Sequence, residues 1–372
     1  MGRMSFKELL NADVSTLFTK RAKNKEVKTL LIDYKKPVVV FDIGQKDIKV
    51  LVGKKQKENL VVQKTFTIQT PTESLLDGKV LSEAILANAL ENGLKEQNIK
   101  IKDALVTVNS SQIINRELII DKVEVEELET VVRYELQQYL PINLNDYQVQ
   151  FIILDEFEDE EGFKYKIFVI AFPERIAKSY YQLLKIAGVK PLSLETTFTS
   201  LNKLLSHTMM INEKPFNSKD VVAFLDLGAT TIDVHIFKDG HIDLTRMIKS
   251  GGDDIDQMLS YRHQIPLKSI SKVKQNLDLM GNTEDELVQT TRLAVDNLIS
   301  EIDRILQFYR NKSYRQIDHI YLYGGGALLK GIDRYMSQQL NSNVETIKSW
   351  NDIKIDGDLA NFINTLGSMY KE

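Results

Sequence analysis

The sequence contains no cysteine in its 372 residues. That excludes disulfide staples and thiolate metal sites, and it fits an intracellular chain. Histidine is scarce as well. His207, His235, His241, His263 and His319 are the full set, and none falls in an H-x-x-x-H-type spacing that would suit a metal. No apolar run approaches the ~18–20 residues needed to cross a bilayer. The opening MGRMSFKELLNADVSTLFTKRAKNK lacks the apolar core of a signal peptide, so a cytoplasmic location is expected. Neither charge dominates: 48 basic and 52 acidic residues leave a formal net charge of −4, with both signs interspersed. This argues against nucleic acid as the main partner, because neutralising phosphates needs a concentrated basic face. What remains is 43% hydrophobic and 27% charged, an ordinary globular composition long enough for two domains or one bilobed molecule.

Residues 1–36 differ from the rest. Phe6, Leu9, Leu10, Val14, Leu17 and Phe18 recur at helical spacing, followed by Lys20, Arg21, Lys23 and Lys25. Such an amphipathic helix with a basic tail either packs on its own domain or meets a membrane surface or partner, with residues 5–25 as the contact. VVVFDIGQKDIKVLVG (38–53) reads as a buried strand, a tight turn and a second strand, and ENLVVQKTFTI (58–68) as a third. The spacing predicts a helix over 74–98, a strand over 102–114, short strands with one helix stopped by Pro141 over 115–172, and a helix over 173–189. INEKPFNSK (211–219) reads as a polar linker between two halves.

After that stretch the pattern restarts. Asp42-Ile43-Gly44, with Ile48 and Val50 behind it, is matched by Asp226-Leu227-Gly228, with Ile232 and Val234. Both copies follow a hydrophobic strand and read D-[IL]-G-x-x-x-I-x-V, roughly half a chain apart. Duplication at that scale implies two similar lobes facing each other rather than a short-period solenoid. In each copy the glycine lets backbone N–H groups approach an anion closely. The aspartate, which cannot itself bind phosphate, suits a hydrated Mg²⁺ that bridges phosphates. Two such turns would clamp a polyphosphate between the lobes. A third glycine turn, Gly324-Gly325-Gly326, follows a β-rich run and precedes a helix. It reads either as a tight turn or as a bare surface for a base or ribose, and the two aspartate turns favour the second reading. Gly251-Gly252 precedes a helix bearing Asp253, Asp254 and Asp256; the glycines suit phosphate, the carboxylates helix capping.

In this order the motifs resemble the actin, sugar kinase and heat-shock chaperone superfamily, and most closely its PilM branch, related to the division protein FtsA. DIGQKDIKVLV resembles the first phosphate turn, LDLGATTIDVHIF with the following Gly-Gly the second, and GGGALLKGIDRYMSQQL the adenosine turn; VEELETVVRYELQQYLPINLNDYQVQFIIL (125–154) and NLISEIDRILQFYR (297–310) also look PilM-like. The resemblance implies an α/β, actin-like ATPase fold of two duplicated lobes, IA and IIA, each with a five-stranded sheet, plus small inserted subdomains IC and IIB. It divides the chain into an extension at 1–36, lobe IA at 37–111 and 173–215, and IC at 112–172. Lobe IIA then takes 216–252 and 317–349, IIB 253–316, and a segment at 350–372 returns to IA.

For the site, the resemblance implies ATP and Mg²⁺. Phosphate contacts would come from Gly44, Gln45, Lys46, Lys49, Gly228, Ala229, Thr230, Thr231, Gly251 and Gly252, nucleoside contacts from Gly324, Gly325 and Gly326, and the cation would sit at Asp42 and Asp226. Glu195 stands, at the start of an expected helix over 192–205, where hydrolysing members place the carboxylate that orients the attacking water; it reads equally as a helix N-terminal carboxylate. Gln45-Lys46-Asp47 departs from the small hydroxyl residues usual in the first turn, so nucleotide binding with at most slow hydrolysis is implied. The family's role is that of a cytoplasmic adaptor at the inner face of the membrane that grips the N-terminal peptide of a PilN-type membrane protein in a groove between IA and IC. Other pilus platform proteins and the pilus motor ATPase are further partners it suggests, and an FtsA-like role in division is the alternative.

Overall fold

The computed structural model describes residues 36–56, 59–140 and 142–370; the amphipathic segment read at 5–25 lies outside them. The chain divides into two units. One takes in Phe66–Ser200, residues 36–60 and residues 368–370; the other takes in Val61–Thr65 and Leu201–Gly367.

The first unit is built on Val38–Ile43 (β1), Asp47–Gln56 (β2) and Asn59–Gln69 (β3). After them come the short strands Leu75–Leu76 (β4) and Lys79–Val80 (β5), helix Glu83–Glu96 (α1) and strand Asp103–Val108 (β6). Ile114–Asp121 (β7), helix Val125–Tyr139 (α2), Tyr147–Asp159 (β8) and Gly162–Pro173 (β9) form a subdomain. Helix Glu174–Ile186 (α3), strand Lys190–Thr196 (β10) and helix Thr197–Leu205 (α4) follow. Five strands pair in the order β10-β6-β1-β2-β3. β1 runs antiparallel to β2 and parallel to β6, and β6 parallel to β10. All six β1 residues are buried, which is why VVVFDI shows no alternation: a strand covered on both faces has no polar side to present. α1 and α3 contribute Leu86, Leu90, Tyr180 and Leu184 to the core around β1 and β6. The subdomain sheet, ordered β7-β9-β8, packs Leu118, Ile167 and Val149 against Leu128, Val132 and Leu136 of α2 as a second core.

Two local expectations of the first unit are corrected. Residues 74–82 are not helical: Asp77 and Gly78 both take positive φ (49° and 69°) and join β4 to β5 as a two-residue hairpin, the conformation that an Asp-Gly pair favours. The Asp77 carboxylate then accepts from the Ser111 N–H at 2.8 Å, which fixes the hairpin and delays the helix to Glu83. The strands over 115–172 are long rather than short, β8 and β9 running 13 and 12 residues. α2 does end before the proline, with Leu140 extended (φ −122°, ψ 118°) as a pre-proline residue prefers; Pro141 itself lies outside the described residues.

The second unit opens with Met210–Ile211 (β11) and Lys214–Pro215 (β12). The stretch read as an open linker is thus a hairpin, turned by Asn212 and Glu213 at positive φ. The Asn212 side-chain oxygen accepts from the Lys348 N–H at 2.7 Å, and Ile211 bridges to Trp350. Val222–Leu227 (β13), Ile232–Lys238 (β14) and His241–Ile248 (β15) are followed by helices Gly252–His263 (α5), Leu267–Asn276 (α6) and Glu286–Ser313 (α7). His319–Tyr323 (β16), helix Ile332–Leu340 (α8), Val344–Thr346 (β17) and helix Ile363–Ser368 (α9) complete it. Its sheet, β15-β14-β13-β16-β17, repeats the first one strand for strand: β13 antiparallel to β14 and parallel to β16, and β16 parallel to β17. The fold is α/β with two duplicated five-stranded lobes.

Candidate functional site

The two aspartate turns are copies at the level of hydrogen bonds. In the first, Asp42 lies opposite Lys49 and Ile43 opposite Ile48, and the Gly44 N–H donates to the Asp47 carbonyl at 3.2 Å. In the second, Asp226 lies opposite Asp233 and Leu227 opposite Ile232, and the Gly228 N–H donates to the Thr231 carbonyl at 3.0 Å. A Cβ on Gly44 would stand 2.8 Å from the Asp47 carbonyl oxygen, and one on Gly228 2.7 Å from that of Thr231. Each turn therefore closes only on a glycine.

In both, the turn's carbonyls are tied back by residues just past the third strand of the repeat. Thr70 donates its hydroxyl to the Gly44 carbonyl at 2.7 Å and its N–H to that of Lys46 at 3.0 Å. The Gly252 N–H donates to the Gly228 carbonyl at 3.0 Å and the Asp253 N–H to that of Ala229 at 2.8 Å. Fixing the carbonyls on one side is how a turn comes to present amide hydrogens on the other. Gly251 enters this contact closely: its Cβ would meet the Ala229 and Gly228 carbonyl oxygens at 2.6 and 2.7 Å. Asp254 accepts from the Gly251 N–H at 2.8 Å and from the Ser250 hydroxyl, a capping role for a first-turn carboxylate. Asp256 pairs with Lys274 at 2.5 Å. Thr230 and Thr231 sit between β13 and β14, within the second turn.

Side chains separate the two copies. The Lys49 ammonium lies 3.6 Å from the Asp42 carboxylate and 3.6 Å from where a Gly44 Cβ would be, so a cation is already poised over the first turn. The Gln45 amide donates to the Leu75 carbonyl and accepts from the Asp77 N–H; its side chain braces the β4–β5 hairpin and leaves the backbone to face an anion. Beneath the first turn Tyr180 is fully buried, and burial first, the charge of Asp42 second, push its phenol far above the usual range. In the second unit the Asp226 carboxylate accepts from the Asn364 side-chain amide of α9 at 2.9 Å, and both residues are buried.

Gly324, at φ 83°, explains why no other residue follows β16. A Cβ there would stand 2.2 Å from the Asp226 Oδ1 and 3.0 Å from the Leu227 backbone. Its N–H donates to the Ala360 carbonyl at 2.9 Å. Gly325 and Gly326 open a 3₁₀ turn, Gly325–Leu328, rather than the α-helix, which begins only at Ile332. Gly228, Gly251, Gly252 and Gly326 come together with Ile255, Leu298 and Met336 around one small cavity of about 30 Å³. Three glycine turns far apart in sequence thus meet within the second unit.

Glu195 is not on a helix. It is the penultimate residue of β10, and α4 starts after a reciprocal cap in which the Thr199 N–H donates to the Thr196 hydroxyl at 3.0 Å and the Thr196 N–H to the Thr199 hydroxyl at 3.1 Å. That T-x-x-T cap ends the strand one residue beyond Glu195. Glu195 is 5% exposed and lines a small pocket of about 30 Å³ with Gln148 and Gln150 of β8, Phe172 of β9, and Thr196 and Thr199. Sequence reasoning missed Thr70, Tyr180 and Asn364, because each meets its turn only through tertiary contact; the T-x-x-T cap was readable.

Among the described residues no group of three or more His, Asp or Glu is arranged to hold a metal. Mg²⁺ does not require one, since it keeps several waters and takes one or two carboxylates plus phosphate oxygens. Asp226, an oriented carboxylate beside glycine-lined backbone, fits that donor set. No helix among the described residues is long and apolar enough to cross a membrane.

Against known proteins, a chain of a PilM-PilN type IV pilus biogenesis complex superposes with a TM-score of 0.73 at 19% identity, covering 90% of this chain and 96% of that one. The ethanolamine utilization protein EutJ from Carboxydothermus hydrogenoformans gives 0.56 at 14% identity, covering 98% and 96%. At such identities the likeness speaks for the fold, which is that of the actin-like ATPases. The cell division protein FtsA of Bacillus subtilis (strain 168) is 23% identical over 286 residues, 69% of this chain and 62% of FtsA, so the chain spans less than two thirds of that relative. The sequence profile of the type IV pilus assembly protein PilM covers residues 40–363, running through all three glycine turns. The chain belongs to the type IV pilus assembly protein PilM family.

Proposed function

We propose that this chain is a nucleotide-binding adaptor of type IV pilus assembly, holding ATP–Mg²⁺ at its glycine turns and the N-terminal peptide of a PilN-type membrane protein at the β8–β10 pocket. The observation that carries the nucleotide reading is the duplicated turn, with the same register, the same glycine-to-carbonyl closure and carbonyls tied back in both copies. In each unit the backbone N–H groups of its own turn would suit phosphate, with the Lys49 ammonium beside the first. In the second unit Asp226 would hold the hydrated cation, and Gly324, Gly325 and Gly326 would lie under the nucleoside.

The peptide reading rests on the neighbour solved as a PilM–PilN complex and on a pocket that combines apolar walls (Ile170, Phe172, Leu194) with side-chain amides (Gln148, Gln150) and hydroxyls. Such a lining suits an extended peptide whose alternate side chains are selected. Glu195 lies in the same pocket. In this reading it orients water in a slow turnover, and Glu195→Gln removes residual hydrolysis while ATP still binds.

Calorimetry with ATP–Mg²⁺ and a synthetic PilN-type N-terminal peptide tests both halves. Asp226→Ala is expected to lose nucleotide binding, and Gln150→Lys to lose the peptide while keeping ATP. Wild-type ATP affinity in Asp226→Ala refutes the cation assignment, and wild-type peptide affinity in Gln150→Lys refutes the pocket.

A further inference from the structure

We propose that Asn364 is a positioning residue for Asp226, so that the C-terminal helix α9 forms part of the second phosphate site. The inference rests on the reading that Asp226 holds the nucleotide's cation.

The two residues are 138 positions apart, yet the Asn364 Nδ2 donates to the Asp226 Oδ2 at 2.9 Å. Asn364 is 4% exposed and Asp226 8%, so water does not compete strongly for this bond. The other carboxylate oxygen is limited from the opposite side. The Asp226 Oδ1 occupies the space a Gly324 Cβ would need, 2.2 Å from that position. One oxygen is thus held by an amide, and the other lies against the bare Gly324 backbone. The approach of α9 is itself fixed, because the Gly324 N–H donates to the Ala360 carbonyl at 2.9 Å, four residues before Asn364. The 3₁₀ turn Leu359–Phe362 runs directly into α9.

The chemistry of the donor matters. In the first turn the near neighbour of the aspartate is an ammonium, Lys49, at 3.6 Å, which attracts the carboxylate by charge and competes with a metal for it. Asn364 is neutral. Its amide brings no charge of its own to Asp226 and suits a group that steers a metal-binding carboxylate from behind. Removing such an outer partner typically lowers metal affinity about 10–100-fold.

The test separates metal affinity from general damage. ATP affinity of the full chain is measured by calorimetry across a Mg²⁺ titration and again in EDTA, for wild type, Asn364→Leu, Asn364→Ala and Asp226→Asn, with urea midpoints recorded for each. Asn364→Leu keeps the volume and removes the donor; should it fail to fold, Asn364→Ala, which adds no bulk, decides. The expected result is a rise of about tenfold or more in the Mg²⁺ concentration that half-saturates ATP binding, with less than a twofold change in EDTA. Equal weakening in both media means that Asn364 is only structural and overturns the proposal, as does a wild-type Mg²⁺ dependence in the folded Asn364 variants. Wild-type Mg²⁺ dependence in Asp226→Asn instead removes the cation reading itself.

Discussion

Alanine at Gly251 and at Gly252 should have opposite consequences, although the two residues are adjacent and both face the second turn. The Gly251 backbone is extended (φ −170°, ψ −153°), so alanine meets no conformational penalty there. Its cost is contact: the new Cβ would lie 2.6 Å from the Ala229 carbonyl oxygen, 2.7 Å from that of Gly228 and 2.8 Å from the Ala229 carbonyl carbon, all backbone. Relief to an ordinary separation demands that the two turns part by roughly 0.8 Å. A shift of that size breaks the Gly252-to-Gly228 and Asp253-to-Ala229 hydrogen bonds, now 3.0 and 2.8 Å. Overpacking costs about 1–3 kcal/mol and each of the two net hydrogen bonds about 1 kcal/mol, so Gly251→Ala should lose about 3–5 kcal/mol. At Gly252 the nearest atoms to a Cβ are 3.5 and 3.9 Å away. Alanine fits there and, as the first residue of α5, should be neutral or stabilising by up to ~1 kcal/mol through reduced freedom of the unfolded chain. Urea unfolding of the pair measures the difference, and ATP calorimetry should show binding lost only in Gly251→Ala. Matching urea midpoints for the two variants would refute the claim that the turns are held together by this close approach.

Two further outcomes follow from the second unit. Burial lowers the His235 pKa from 6.5 to about 4; between those values the unfolded chain binds a proton that the folded one refuses. Stability is therefore full above pH 6.5 and declines by ~3 kcal/mol as pH falls to 4, and His235→Asn should flatten that slope in urea melts taken across the range. Trp350 is 0% exposed, donates its indole N–H to the Thr208 hydroxyl at 2.9 Å and packs on Phe224. Trp350→Ala should cost ~3–5 kcal/mol and expose the β11–β12 hairpin to limited proteolysis near residue 212, whereas a protease-resistant hairpin would show that it stands without the tryptophan.

The parts of the fold that were legible are those specified locally. VVVFDIG and VAFLDLG each carry a buried strand and the glycine that closes its turn, so the duplication could be read without coordinates. The Asp77-Gly78 hairpin was equally local, but the apolar residues over 75–90 match helical spacing well enough to hide it. Glu195 was expected on a helix because LSLETTFTSLNKLL resembles the family's connecting helix; the reciprocal Thr196–Thr199 cap moves the boundary past it. Thr70, Tyr180 and Asn364 could not be found by pattern. Each acts on a turn 26, 138 and 138 residues away, respectively, through a contact that exists only once sheets and helices have packed. Linker and hairpin also look alike in INEKPFNSK, since the residues that permit a flexible segment are those that tolerate positive φ.

The two halves have kept their backbone grammar and exchanged their electrostatic vocabulary. Across from its aspartate, one hairpin places Lys49 and the other Asp233, at the same rung of the same ladder. A gene duplication produces two identical rungs, so at least one of these is an acquired trait, and the fold tolerated it because the hydrogen bonds that close the turns do not consult that side chain. The halves are consequently no longer spare parts for one another: transplanting residues 222–237 over 38–53 would rebuild the loop and install a carboxylate where the first lobe has its ammonium.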